Sequence, residues 1–174
     1  IEKFHFMKEL LRDQGLTVGR LDSRYRGVDR YQVGSMLEHD PSLDVWMGPY
    51  TATFNDYVRR DLGYECDLVY EILTPKVWPW NYEKFQNAYV EVSETLRDTM
   101  TKNPGMRVYV ASGYYDLATP YFATEHTIAH LGIEEALRDN ITVSYFEAGH
   151  MMYVHKPSIE ILGPDLRTFV ENAT

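Results

Sequence analysis

An α/β fold of βαβα order, with parallel strands, is what this sequence predicts, and three observations predict it. Arg107–Ser112 (RVYVAS) and Ile141–Phe146 (ITVSYF) are short runs rich in β-branched and aromatic residues, the composition of buried strands. Between them, Thr119–Leu131 carries a helix start and a glycine stop. Strand, helix and strand within about forty residues make a crossover unit, so the two strands are expected to be parallel and adjacent. Helical periodicity before the first strand and after the second completes the order.

From the N-terminus, residues 1–16 suggest an amphipathic helix with Phe4, Met7, Leu10 and Leu11 on one face and Gly15 as its stop. Arg20–Val33, rich in charges and turn formers, reads as irregular. Glu38–Ser42 is turn chemistry, with Pro41 biasing Asp40 away from helix. A second helix fits Tyr50–Leu62, where Phe54, Tyr57, Val58 and Leu62 are spaced as a buried stripe. Pro75, Pro79, Trp78 and Trp80 break Tyr64–Tyr82 into loops or short turns. Tyr82–Thr101 has the strongest helical period: Phe85, Ala88 or Tyr89, Val92, Leu96 and Met100 on the apolar face, Glu91, Glu94, Arg97 and Asp98 toward water. Asn103-Pro104-Gly105 ends it. In the crossover helix Thr119 is a capping hydroxyl and Pro120 a first-turn proline. A final helix over Ile159–Val170 is expected to break at Gly163-Pro164, because proline removes a donor and crowds the preceding turn.

Composition narrows the function classes. The 174 residues carry 17 basic against 26 acidic side chains, a formal charge of −9, and 44% hydrophobic content. That is a globular chain whose charge repels nucleic acid, and no basic run interleaved with aromatics offsets it. No apolar stretch reaches the roughly 18 residues of a membrane span. Cys66 is the sole cysteine and forms no internal disulfide. Asn140-Ile141-Thr142 and Asn172-Ala173-Thr174 fit the glycosylation triplet, a pattern that chance produces often.

Chemistry concentrates at the two strand ends. Beyond Phe146 and Glu147, the hinge Ala148-Gly149 delivers His150 to the carboxyl end of a strand, where open α/β sheets bind ligands. After the other strand, Gly113-Tyr114-Tyr115 leads to Asp116. Two neighbouring tips then point Asp116 and His150 at each other. Either residue alone would be an ordinary loop histidine or turn aspartate. Together they form an orienting acid and a general base, two members of a nucleophilic triad.

At these residues the sequence resembles a known family. GYYDLATPYFATEHT (Gly113–Thr127) and EAGHMMYVHKPS (Glu147–Ser158) are similar to the C-terminal part of the serine carboxypeptidase family of α/β-hydrolases, more closely to its bacterial-type members. LLRDQGLTVGRLDSRY (Leu10–Tyr25) and GPYTATFNDYVRRDLGYE (Gly48–Glu65) resemble the same subgroup in wording but carry no evident chemistry. The order acid then histidine matches α/β-hydrolases, in which the nucleophilic serine precedes both. The resemblance implies Asp116 as the acid, His150 as the base and Met151 on the leaving-group side of the pocket. It implies a peptide substrate, no cofactor or metal, and a secreted or periplasmic location. Residues 1–80 would then be a mostly helical cap or insertion, and 81–174 the C-terminal part of the α/β-hydrolase domain.

One departure is large. None of the seven serines (Ser23, Ser35, Ser42, Ser93, Ser112, Ser144, Ser158) stands in a Gly-x-Ser-x-Gly elbow, and no glycine-rich oxyanion segment is present. The chain therefore reads as the C-terminal portion of an enzyme whose N-terminal half supplies the nucleophile and the missing strands. Alone it is expected to be inactive and open to self-association along an unpaired sheet edge. Other readings stay open: another α/β-hydrolase activity (esterase, acyltransferase or lyase), a non-catalytic binding module, or a zinc site at His126 and His130. The last has the four-residue spacing, but Glu125 precedes the first histidine and the HExxH order is not met.

Overall fold

The computed structural model describes residues 2–173. These residues form a mixture of helix and strand, the strands lying in two small sheets. One is parallel: β3 (Val108–Gly113) pairs with β4 (Ile141–Phe146) in unbroken register from Val108–Ile141 to Gly113–Phe146. The other is an antiparallel hairpin of β1 (Leu16–Val18) and β2 (Arg26–Val28). Among the described residues six α-helices accompany them: α1 (Lys3–Glu9), α2 (Pro41–Asp56), α3 (Ser93–Lys102), α4 (Tyr121–Ala129), α5 (Glu135–Arg138) and α6 (Lys156–Asn172).

The parallel pair has the expected crossover order, and its side chains alternate between two faces. Val108 and Ile141 pack on Met100, Leu131 and Ile133, a cluster contributed by α3 and the segment joining α4 to α5. On the opposite face Ala111 and Phe146 meet Ala148, Met152 and Leu162, so α6 lies there. Tyr109 extends that contact, its ring 5.4 Å from Phe169.

Several sequence expectations need correction. Arg20–Val33 is not irregular throughout, since β2 lies within it. These extra strands form their own sheet and leave the β3–β4 pair two-stranded. The second helix starts nine residues before Tyr50. Asp40 is its N-cap, its carboxylate accepting from Ser42 N–H, and Pro41 occupies the first turn. The turn chemistry at residues 38–42 was thus a helix start. Past Asp56 the chain winds on as a π-helical stretch, Tyr57–Asp61. The stripe beyond Phe54 is not buried, for Tyr57 and Leu62 lie open.

The helix expected over Tyr82–Thr101 is present only in its second half. Tyr82–Val92 is irregular apart from a 3₁₀ turn at Glu83–Phe85, with Asn87 in the left-handed region. Asn81 and Glu91 side chains accept from backbone N–H groups two residues on, local bonds that compete with the helix ladder. Tyr89, 97% exposed, shows that the N-terminal part of the apolar face has nothing to pack on. At the C-terminus the opposite holds. The helix runs continuously through Gly163-Pro164. Pro164 is exposed, so water can satisfy the carbonyl its ring leaves unpaired, and Leu162 and Phe169 anchor the helix on either side.

A folded monomer of this 20.3 kDa mass exposes about 8,800 Å². Here the exposed area is 12519 Å². The excess, with only two strands in the parallel sheet, describes a core that is partly open. The isolated chain is therefore expected to bind the dye ANS and to self-associate, read by fluorescence and sedimentation velocity. A compact, dye-silent monomer would contradict this.

Candidate active site

β3 and β4 end side by side, and the loops that leave them meet. His150 Nδ1 lies 2.8 Å from Asp116 Oδ2. The predicted acid and base are thus brought within bonding distance, 34 residues apart in sequence. Asp116 is 4% exposed, and a buried carboxylate needs its lone pairs filled. Oδ1 accepts from the N–H groups of Ala118 (2.7 Å) and Thr119 (3.0 Å). Oδ2 accepts from the Thr119 hydroxyl at 2.6 Å as well as facing the imidazole.

This wiring sets the charge on Asp116. Burial pushes its pKa up, but the Thr119 hydroxyl, the Thr119 N–H, His150 and the Ala118 N–H together outweigh it, and the net result is lowered. A carboxylate with a depressed pKa stabilises the fold above the range of a free aspartate and loses that contribution as pH falls through the folded value. Asp116→Asn should therefore flatten the rise of stability with pH below about pH 4, by up to about one proton in slope, read from urea melts at several pH values. An unchanged slope would show that Asp116 does not carry the charge.

His150 is held from behind. Its N–H donates to the Leu21 carbonyl at 2.6 Å, while its side chain stays 45% exposed. Nε2 makes no hydrogen bond among the described residues, and that edge is free to work on a substrate. The imidazole lies on the wall of a cavity of about 510 Å³. Met151 lines the same cavity, together with Leu43, Trp46, Met47 and Tyr50 of α2. Ile72 and Leu73 approach from the loop that follows, and Arg20 adds a fixed positive charge. The three predicted site residues therefore share one locus.

Thr119 departs from its expected capping role. Its hydroxyl does not cap α4, whose N-cap is Pro120 with no side-chain bond; it turns back to Asp116 and comes within 3.3 Å of His150 Nδ1. Apart from Tyr50, the apolar wall from α2 lies outside the helix expected over Tyr50–Leu62, because α2 begins at Pro41. The Arg20–Arg24 stretch, in which the sequence shows no evident chemistry, lies against the loops that carry Asp116 and His150. An Asp-Ser-Arg acid–base pairing two residues apart was the signal available there.

His126 and His130 stack with ring centroids 4.0 Å apart, and His130 Nδ1 pairs with the His126 carbonyl. No group of three or more potential ligands surrounds them among the described residues. Asn140, of the first glycosylation triplet, donates its amide to the Pro104 carbonyl at 2.8 Å. No helix among the described residues is long and apolar enough to cross a membrane. No protein-family model, curated protein or solved structure matches the chain.

Proposed function

We propose that this chain is the acid-and-base portion of a serine-type carboxypeptidase of α/β-hydrolase type, completed by a preceding half that carries the nucleophile, the oxyanion donors and the strands flanking β3. The observation that carries the reading is the Asp116–His150 pair at 2.8 Å, set at the carboxyl ends of two adjacent parallel strands beside an apolar cavity. The open sheet and the large exposed area support a missing partner half. The peptide class comes from the resemblance of the Asp116 and His150 segments to serine carboxypeptidases.

In the proposed reaction a serine hydroxyl attacks the C-terminal peptide carbonyl. His150 Nε2 takes the hydroxyl proton and returns it to the leaving amine, which departs as the free amino acid. Water then attacks the acyl-enzyme with the same base, releasing the shortened peptide. Asp116 fixes the Nδ1–H tautomer and stabilises the imidazolium between the two steps. Met151 and the apolar wall face the substrate side chains.

The coding sequence ahead of Ile1 tests the proposal first: a Gly-x-Ser-x-Gly elbow is expected there. The complete protein should release C-terminal amino acids from peptides, and His150→Ala should abolish the release. The isolated chain lacks nucleophile and oxyanion donors, the latter alone worth about 10²–10³-fold, and should release none. His150-dependent hydrolysis by the isolated chain would refute this division of labour.

A further inference from the structure

Five hydrogen bonds join one short segment, Arg20–Arg24, to both catalytic loops. To the acid loop, Leu117 N–H donates to the Arg20 carbonyl (3.0 Å) and Ser23 N–H to the Tyr115 carbonyl (2.9 Å). To the histidine loop, His150 N–H donates to the Leu21 carbonyl (2.6 Å) and Gly149 N–H to Asp22 Oδ2 (3.1 Å). Arg24 Nη1 donates to the Glu147 carbonyl at 2.8 Å. Asp22 is 2% exposed and lies 127 residues from Gly149 in the chain. Its carboxylate is fixed in turn by Arg24, whose Nη2 reaches Oδ2 at 2.7 Å and whose Nε and backbone N–H reach Oδ1 at 3.0 Å each. Arg24 also lies over the Tyr115 ring, 4.9 Å from its centroid.

The two loops differ in how much they hold themselves. Asp116 is locked by its own turn through Ala118 and Thr119. The histidine loop leaves β4 at Phe146 and passes through Ala148-Gly149, where the N–H groups of Gly149 and His150 both go to Leu21–Asp22. The histidine loop is held up to Ala148, whose N–H donates to the Phe146 carbonyl (2.7 Å) and whose carbonyl accepts from Tyr115 N–H (3.0 Å); beyond it, at Gly149 and His150, the brace takes over. A displacement of about 1 Å would take a hydrogen bond of this length out of range, and misplacements of that size are costly in catalysis.

We infer that Asp22, held by Arg24, is the positioning residue that keeps His150 in register with Asp116. The inference rests on the proposed acid–base pair. Asp22 touches no substrate; it acts through the Gly149 N–H. Asparagine at this position keeps the shape but turns an N–H₂ toward donors on one side or the other, because Gly149 and Arg24 between them claim both oxygens.

The experiment is proton NMR of the complete protein, following the His150 Nδ1–H resonance identified by its loss in Asp116→Ala and in His150→Gln. In Asp22→Asn that proton is expected to exchange at least about tenfold faster than in wild type and to move upfield, as its hydrogen bond lengthens. Arg24→Met, on a side chain about one-third exposed and so replaceable without emptying the core, should do the same to a smaller degree. Met100→Ala, in the separate α3 cluster, should lower the melting temperature and leave the resonance as it is. A folded Asp22→Asn with wild-type shift and exchange overturns the positioning role, and Arg24→Met decides in the same way if Asp22→Asn does not fold. Failure of wild type to show an Asp116-dependent resonance removes the acid–base pair itself, and the inference with it. The two failures are thereby told apart.

Discussion

Asp116→Asn in the complete protein is expected to lower kcat on a peptide substrate about 10⁴-fold, with KM little changed. The size follows from what the carboxylate does. With Asp116 ionised, Nδ1 of His150 must carry the proton, which leaves Nε2 as the lone-pair base facing the cavity. An asparagine can keep its carbonyl toward the N–H groups of Ala118 and Thr119, which now fill Oδ1. Its NH₂ then faces the Thr119 hydroxyl and His150, where Oδ2 stood. A donor at that point selects the tautomer with Nδ1 bare and Nε2 protonated, the form that cannot accept the serine proton. Substrate contacts are on the other side of the ring, so binding should survive. Steady-state kinetics on the wild-type and Asn proteins check both halves of the statement. A loss under about tenfold would mean the pair at 2.8 Å is structural and the hydrolase reading falls.

The pair was legible in sequence because strands and their ends are local features. Ile141–Phe146 is both the expected and the observed strand, and the other begins one residue later and ends one residue later than expected. Adjacency then followed from the crossover rule, which needs no knowledge of the remaining fold. The long apolar periodicities fared worse, for a physical reason. Periodicity reports which face a segment would bury, not whether anything is there to bury it. Leu96 and Met100 find Leu131 and Ile133, and their helix forms; Tyr89 and Val92 find nothing, and local Asn and Glu side-chain bonds take over. The same holds for Tyr57 and Leu62 beyond α2. A missing partner half would account for both stretches at once, which ties the misread helices to the proposed function. Thr119 and Asp22 were illegible for another reason. Their roles are set by tertiary partners that the linear chain does not announce, since a threonine before proline equally suggests a cap, and an aspartate in a charged stretch equally suggests a turn.

Gly149→Ala and Gly113→Ala are expected to be the most damaging single methyl additions in the chain. A Cβ on Gly149 would sit closer than 3.0 Å to the Leu21 carbonyl oxygen and to the Asp22 backbone; one on Gly113 would meet the Ala148 and Gly149 carbonyls in the same way. Backbone at each of these points is pinned by the bonds that hold the site, so neither neighbour can step aside without giving up a hydrogen bond. Overpacking ordinarily costs about 1–3 kcal/mol, and an obstacle made of backbone belongs at or above the upper end. A cost of about 3 kcal/mol corresponds to a melting temperature lower by about 6–12 °C in a chain of this size. Gly48 is the control. It lies inside α2 with no non-neighbouring atom within 4 Å of a Cβ, and the propensity gain of an alanine is offset by the crowding of its Cβ against the Pro49 ring, so Gly48→Ala should change stability by less than about 1 kcal/mol. A Cβ on Gly113 presses on the Gly149 carbonyl while one on Gly149 presses on Leu21 and Asp22, so both load the same loop and the cost of the double variant should depart from the sum of the single costs by at least about 0.5 kcal/mol. Denaturant melts of the four variants provide the comparison. Equal stability of Gly149→Ala and Gly48→Ala would mean that the His150 loop is not packed against the backbone of Leu21 and Asp22. Full additivity in the double variant would instead place the two glycines in separate contacts.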